Sequence, residues 1–517
     1  QRADILLRSG IALYNLGRRP EAASTLERLL KAGLPDCRCA EALNWLGKSY
    51  SRLGLREEAV ETYLKLVRLY PESDWSDDAL YHTGNVYRDA NDMKKALKYY
   101  RQLVAEYPES SLADSAIWWQ GWASYNAGDY RKAGQTFQEL VSGYPRSFLV
   151  NQALYWQGRG AEKSGDRDKA RRYYRRAVIR GPYTYYGYLA AERLAGNDLP
   201  VLSVADEPIM NEPVPEDSDL TREEGADLSD LDGPPVWTDE AVVALSTYPA
   251  YGKTLELMYL GMKKEAATEL WSLQELLPGR YGALIGLSKA FFELGDYHSS
   301  LIIVLRSFDR HLERPSPRMP GDLWLLAYPQ GYWQSIVSAA RRYGLDPYFV
   351  AAIIREESQF RSEALSPAGA RGVMQVMPAT GAWIAKMTGM RDFDRAKLYD
   401  VDMNITIGTW YLSYLLKRFK NDLYLVSAAY NAGPEVVAAW AGMNGGAVDP
   451  DMFVEAIPYR ETRGYVKKVL RNYAEYRRIY GGTDLAAPLH LSGPANQGAG
   501  GARTGDVRLC GSTERCP

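Results

Sequence analysis

Apolar residues recur at three- and four-residue steps along most of this chain, and over its first two hundred residues the helices they predict return on a fixed interval. Gly17, Gly54, Asn91, Gly128 and Gly165 stand 37 residues apart, and Ala22, Ala59, Ala96, Ala133 and Ala170 follow each by five positions. Tyr70-Pro71, Tyr107-Pro108 and Tyr144-Pro145 keep the same step, with Pro182 one period later. Each unit reads as a helix, a Gly or Asn turn, a second helix with a small residue at the close crossing, and a Pro-bearing exit loop. Stacked helix pairs of this kind make a curved solenoid with an extended concave face, a surface open to protein partners. Trp118, Trp119, Trp122, Tyr155 and Trp156 read as packing between helices rather than as a sugar platform. The turn signature returns at Gly261 with Ala266 and at Gly295 with Ser300, so the solenoid is expected to continue.

Composition breaks this pattern twice. Asp206 to Glu240 holds 13 Asp and Glu against one basic residue, with several prolines, and reads as a self-repelling linker. After Tyr480 the chain turns rich in Gly, Ala, Pro and Ser, and 485–517 reads as a disordered tail. The resulting division is 1–198 helical repeats, 199–240 acidic linker, 241–322 further helical superhelix, 323–484 a catalytic region and 485–517 tail. The predicted fold class is all-α, with at most a small β-hairpin.

The candidate chemistry lies between Asp346 and Met377. Pro347 suits a first helical turn, and Phe349, Val350, Ile353 and Ile354 fall on one face. On a wheel of ~100° per residue Glu357 lies within ~20–30° of that face's centre, with Glu356 to its side and Arg355 opposite. A carboxyl held against apolar side chains loses hydration when ionised, so its pKa rises and it keeps a proton near neutral pH, as a general acid requires. After Ala364 the run SPAGARG ends the helix in a tight loop, which sets Ser366 and Gln375 opposite its end as hydrogen-bonding groups for a polar, uncharged ligand. No Asp or Glu occurs from Ala364 to Arg391, whereas ordinary glycosidases need a second carboxylate. Tyr430-Asn431 also reads as a helix end, with Asn431 and Gly433 as cap and Pro434 as stop. Met374 and Met377 read as core residues.

Glu357-Ser358, SPAGARGVMQVMP, Ala429-Tyr430-Asn431-Ala432-Gly433-Pro434, and Ile457-Pro458 followed by Glu461-Thr462-Arg463-Gly464-Tyr465-Val466 together resemble the soluble lytic murein transglycosylases. Val373 stands where that family's loop usually has Leu, a change of packing alone. The resemblance implies a lysozyme-like catalytic domain with Glu357 as sole acid and base, and Ser366, Met374, Gln375, Tyr430, Asn431 and Glu461 lining a glycan groove. It further implies peptidoglycan glycan strands as substrate, a periplasmic location after loss of a signal peptide, and no metal or cofactor. Pro182 to Leu194 and Ala327-Tyr328-Pro329 resemble segments preceding that catalytic domain. On this reading the region from Leu323 onward should act on short glycans without the repeats.

Net charge is -2, which argues against a nucleic-acid binder, and Leu323 to Tyr480 carries 19 Lys and Arg against 15 Asp and Glu, a mild excess that suits an acidic polymer. No apolar run approaches the ~18 residues of a membrane span, so an integral membrane protein is not expected. Cys37, Cys39, Cys510 and Cys516 match no zinc module and leave the redox state open. Two other functions fit the same residues: a lysozyme-type hydrolase that activates water, and a non-catalytic repeat scaffold that binds glycan.

Overall fold

The computed structural model describes residues 2–33, 36–196, 244–274, 276–277, 281–313, 319–443 and 449–481. The acidic linker and the tail both lie outside these residues, as do Cys510 and Cys516. Among the described residues there are 24 α-helices, and β structure is limited to two isolated bridges, Leu365 with Arg371 and Arg371 with Val376.

Ten helices form five antiparallel pairs: α1 Arg2–Asn15, α2 Arg19–Lys31, α3 Asp36–Leu53, α4 Arg56–Leu69, α5 Ser76–Asp89, α6 Met93–Glu106, α7 Ala113–Asn126, α8 Tyr130–Gly143, α9 Val150–Lys163 and α10 Arg167–Arg180. All five residues of the 37-residue series have positive φ, from 60° at Asn91 to 80° at Gly165, which is why Gly dominates there. The alanines five positions on are buried at the crossings, as expected. A second series carries as much of the packing. Gly47, Gly84, Gly121 and Gly158 lie where a Cβ would come 2.4–2.5 Å from the rings of Tyr63, Tyr100, Phe137 and Tyr174, so the second to fifth pairs close by an aromatic ring lying on a bare backbone, with Leu26 on Gly10 in the first.

Adjacent repeats are also stitched by polar bonds at the period. Tyr107 donates its hydroxyl to the Pro71 carbonyl at 2.8 Å and Tyr144 to that of Pro108 at 2.7 Å. At the next step the Arg180 guanidinium donates to Pro145 instead. Ser110 bonds Asp77 and Ser147 bonds Asp114, each at 2.6 Å.

The array ends in α11 Tyr185–Ala195. Beyond the linker come α12 Pro249–Tyr259, α13 Lys263–Gln274, α14 Tyr281–Glu293 and α15 Tyr297–Glu313, with positive φ at Gly261 and Gly295 where the turn signature recurs. The remaining helices are α16 Gly321–Ala327, α17 Trp333–Tyr343, α18 Pro347–Glu357, α19 Pro378–Thr388, α20 Val401–Arg418, α21 Leu423–Ala432, α22 Pro434–Met443, α23 Pro450–Ala456 and α24 Arg460–Tyr480.

The boundary between repeats and the C-terminal helices is a packed interface. One hydrophobic core runs without a break from Ile117 in α7 to Tyr476 in α24. Across it Arg159, 1% exposed, pairs with Asp449 and with Asp451 at 2.9 Å, and Tyr155 donates to Asp451 at 2.6 Å. Tyr186 donates to Glu455, Tyr188 to Glu475, and Arg471 to the Tyr183 carbonyl at 3.0 Å. Farther back along the array, Trp119 lies between the guanidinium groups of Arg88 and Arg463. Trp118, Trp122, Tyr155 and Trp156 are buried packing residues, as the pattern predicts; Trp119 is half-buried and bridges to α24. The C-terminal region is therefore held by the repeats rather than standing apart from them.

Candidate active site

Helix α18 is placed by its ends. Pro347 opens it, and Asp346 caps it by accepting from the Tyr348 amide at 2.9 Å while also accepting the Tyr473 hydroxyl at 2.8 Å. Val350 to Ile354 are fully buried, so the helix is enclosed on every side rather than on one face. Even Arg355, expected to face away, packs on the Tyr328 ring and donates to the Ala327 carbonyl and to Asn472 of α24.

The helix stops at Glu357, nine residues before the start of the SPAGARG run expected to end it. The Ser358 hydroxyl is drawn to the Val373 carbonyl at 2.8 Å, and Gln359 and Phe360 take φ of 53° and 64°, which turns the chain and buries Phe360. Glu357 is thereby left on the last turn, partly buried, with the Tyr465 hydroxyl donating to its carboxylate at 2.6 Å. Burial pushes its pKa up to about 7; the Tyr465 hydrogen bond opposes this, and the negative charges of Glu356 and Glu461 add to it. Glu356 is also raised by burial but is held by Lys468 at 2.9 Å, so the two adjacent carboxylates have different environments and different partners.

The loop that Ser358 holds through Val373 is folded on itself. Ser366 bonds Ala370 through both backbone and hydroxyl at 3.0 Å, and the Gly372 amide donates to the Ala364 carbonyl at 2.9 Å. Its pin is Asn404 of α20, which is fully buried. Asn404 donates to the carbonyls of Arg371 and Leu398 at 2.9 and 2.7 Å and accepts the Met374 amide at 2.8 Å. Gly372 is required here twice over: its φ is +74°, and a Cβ would lie 2.3 Å from the Leu398 carbonyl. Gln375, at φ 49°, donates its side-chain nitrogen to the carbonyls of Ala364 and Gly372, so that nitrogen braces the loop. The Met374 side chain is fully buried against Gly408, as a core residue, and its carbonyl accepts the Tyr430 hydroxyl at 2.8 Å.

Tyr430 is held far above the usual phenol range by burial first and by the charge of Glu357 second. Asn431 accepts the Thr462 hydroxyl at 2.7 Å, tying α21 to α24. It lies inside the last turn of α21 and does not cap it; Gly433, at φ 91°, is the cap, and Pro434 begins α22 instead of acting as a stop. Glu461 is exposed in the first turn of α24, one turn before Tyr465.

Hydrogen bonds tie α18, the 361–377 loop, α21 and α24 to one another: Ser358 to Val373, Tyr430 to Met374, Thr462 to Asn431 and Tyr465 to Glu357, while Ser366 and Gln375 bond within the 361–377 loop itself. Two residues of the site were missed. Tyr465 lies in the run that carries the resemblance but drew no role, although its i,i+4 spacing from Glu461 puts both on one side of a helix. Asn404 has no local signal at all, since its partners are 6 to 33 residues away. Among the described residues no group of three or more His, Cys, Asp or Glu is arranged to hold a metal, and no helix is long and apolar enough to cross a membrane.

Residues 334–451 match the family described as Transglycosylase SLT domain, and 456–484 match the Soluble lytic transglycosylase helical domain. Residues 7–74, 78–110, 115–147 and 152–180 match tetratricopeptide repeats. The chain is 34% identical over 239 residues to the soluble lytic murein transglycosylases of Salmonella typhimurium and Escherichia coli K12, covering 46% of this chain and 35% of each relative. It therefore spans about a third of the length of these curated relatives. In three dimensions it is similar to the lytic transglycosylase Slt of Pseudomonas aeruginosa, with a TM-score of 0.63 at 22% identity over 95% of this chain and 71% of that one. The 70 kDa soluble lytic transglycosylase of Escherichia coli is similar with a TM-score of 0.57 at 19% identity, over 94% and 82% of the two chains. The chain is accordingly a tetratricopeptide array joined to a transglycosylase SLT domain, on the fold of the soluble lytic transglycosylases.

Proposed function

We propose that this chain is a peptidoglycan lytic transglycosylase that cleaves the β-1,4 bond between N-acetylmuramic acid and N-acetylglucosamine. The observation that carries this reading is Glu357, a part-buried carboxyl with pKa raised to about 7 and a single hydroxyl partner, in the loop and helix setting of an SLT domain. Such a group holds a proton at neutral pH and gives it to the departing glycosidic oxygen as the C1–O4 bond breaks. The carboxylate so formed then takes the proton of the muramic C6 hydroxyl, whose oxygen closes onto C1. The product is a 1,6-anhydro sugar, no water is consumed, and Glu357 ends protonated as it began.

Glu356 is ion-paired and Glu461 is exposed, so neither is set up like Glu357 to exchange a proton, and the sugar cation is stabilised by the substrate's own acetamido group. Ser366, Gln375, Tyr430, Asn431 and Glu461 shape and line the glycan groove, with Met374 acting through its carbonyl on Tyr430. The reaction needs no cofactor. Its substrate places the protein in the periplasm, and the repeat array serves as a surface for glycan strands or protein partners.

Mass spectrometry of digested sacculi tests the proposal. Fragments lighter by one water than the hydrolysis products are expected, and they should vanish with Glu357→Gln. Reducing ends in place of anhydro ends would make the chain a lysozyme-type hydrolase. Lysis that survives Glu357→Gln would remove Glu357 from the acid's role, and no lysis by the native chain would leave only a glycan-binding scaffold.

A further inference from the structure

The turn that leaves helix α18 is braced from elements that contribute nothing to the groove itself. Its two central residues, Gln359 and Phe360, both have left-handed φ, 53° and 64°. Neither is a glycine, so each crowds its Cβ against the backbone, and two such residues in a row persist only where their surroundings hold them. Unheld, they would relax to right-handed φ and carry the helix on past Glu357.

Both carbonyls of the turn are held by side chains from outside it. His298, in the first turn of α15, bonds the Gln359 carbonyl through Nδ1 at 3.1 Å, and Tyr332, just ahead of α17, donates its hydroxyl to the Phe360 carbonyl at 3.3 Å. A carbonyl only accepts, so the geometry assigns the ring proton of His298 to Nδ1. Burial lowers the pKa of that ring; the Gln359 bond and Asp296 oppose the shift, and Arg361 and Arg306 add to it. Nδ1 keeps its proton in either charge state, which makes His298 a brace at every pH rather than a switch. Aromatic rings complete the seat. Phe360 is 1% exposed, and at Gly331 a Cβ would come 2.7 Å from the Tyr297 ring and 2.9 Å from the Phe360 ring, so the two rings close over bare backbone. Tyr297 in turn meets Tyr332 edge to face at 5.1 Å.

We propose that His298 and Tyr332 are positioning residues, which act through the 358–360 turn to end α18 at Glu357 and keep its carboxyl out of water. The inference rests on the reading of Glu357 as the acid. Both residues lie ahead of residue 334, where the match to the transglycosylase domain begins, so part of the acid's setting is supplied by the chain before that domain.

The test reads the Glu357 carboxyl directly, by 13C NMR of δ-labelled glutamate with the resonance assigned by its loss in Glu357→Gln, beside kcat and KM on glycan strands. His298→Ala should lower the Glu357 pKa by roughly half a unit or more and kcat roughly threefold or more, with KM near native. Tyr332→Phe, which keeps the ring, should move both quantities in the same direction. His298→Asn sets an amide N–H close to the place of Nδ1 and should restore both. Gly84→Ala, a packing change in the distant repeats, should lower Tm and leave both where they are, which separates positioning from stability. Should His298→Ala fail to fold, Tyr332→Phe, which removes one oxygen, decides the matter. An unchanged pKa and kcat in the folded variants would overturn the inference, as would a His298→Asn no better than the alanine variant. A native chain that makes no anhydro ends would strike the reaction instead, and the Glu357 titration would still report on the brace.

Discussion

The hydroxyl of Tyr465 and the burial of Glu357 act on the same proton in opposite directions: the hydrogen bond stabilises the carboxylate, and desolvation stabilises the acid. Burial wins, so kcat/KM should fall as pH rises through about 7, the value for the free enzyme. Tyr465→Phe removes the opposing contribution, which moves that falling limb to higher pH; a limb that stays in place would show the hydroxyl to be silent. Glu357→Gln should lower kcat by ~10²-fold to 10⁴-fold or more while glycan binding stays measurable. It should also change stability with a definite sign. A folded pKa of about 7 against an ordinary 4.5 means that the native state binds its proton more tightly than the unfolded chain, so native stability declines as pH climbs through that window. The Gln variant escapes this decline and should be the more stable protein at pH 8 by about 1–3 kcal/mol, with little difference near pH 4. Denaturant titrations at the two pH values read the result.

At the scale of elements, the sharpest constraint is the aromatic ring seated on glycine. Gly84→Ala puts a Cβ 2.4 Å from the Tyr100 ring, and such overpacking should cost about 1–3 kcal/mol, seen as a lower Tm. Pairing it with Tyr100→Leu should recover part of the loss; no recovery would place the strain elsewhere. This glycine series shares the 37-residue period with the turn glycines yet escapes a reading based on turns, because a helical Gly has no local signature and its reason lies in a ring 16 positions away. The solenoid itself was legible because turns and alanines repeat. In the site, Glu357 was legible from helical phase and from motif, whereas the helix end at Glu357 was not. It is dictated by Ser358 reaching Val373 and by Phe360 turning inward, contacts that depend on the folded loop. Likewise Asn404 pins that loop from a helix about thirty residues on.

For the whole molecule, the unbroken core from α7 to α24 decides how far the catalytic region can stand alone. A fragment beginning at Leu323 loses Tyr155 and Arg159 from Asp451, Tyr186 from Glu455 and Tyr188 from Glu475, along with the apolar contact of Tyr183 on Trp324. Several kcal/mol are at stake, so its Tm should fall by roughly 10 °C or more, and activity on short glycans should fall with activity on sacculi. Retention of full activity on short glycans by the fragment would show the interface to be a guide for substrate and not a support. The same interface bears on the history of the array. Tandem repeats gain and lose units readily, because each contacts only its neighbours. Here Arg159 in the fifth unit meets Asp451 while Trp119 in the fourth meets Arg463, so two different units are engaged at once by one region of the chain. Duplicating or deleting a 37-residue unit between them would preserve every Tyr-to-Pro stitch and still put one of these contacts out of reach. The number of units from α5 onward is therefore counted by the partner they close upon, and length variation should be confined to the part of the array before α5.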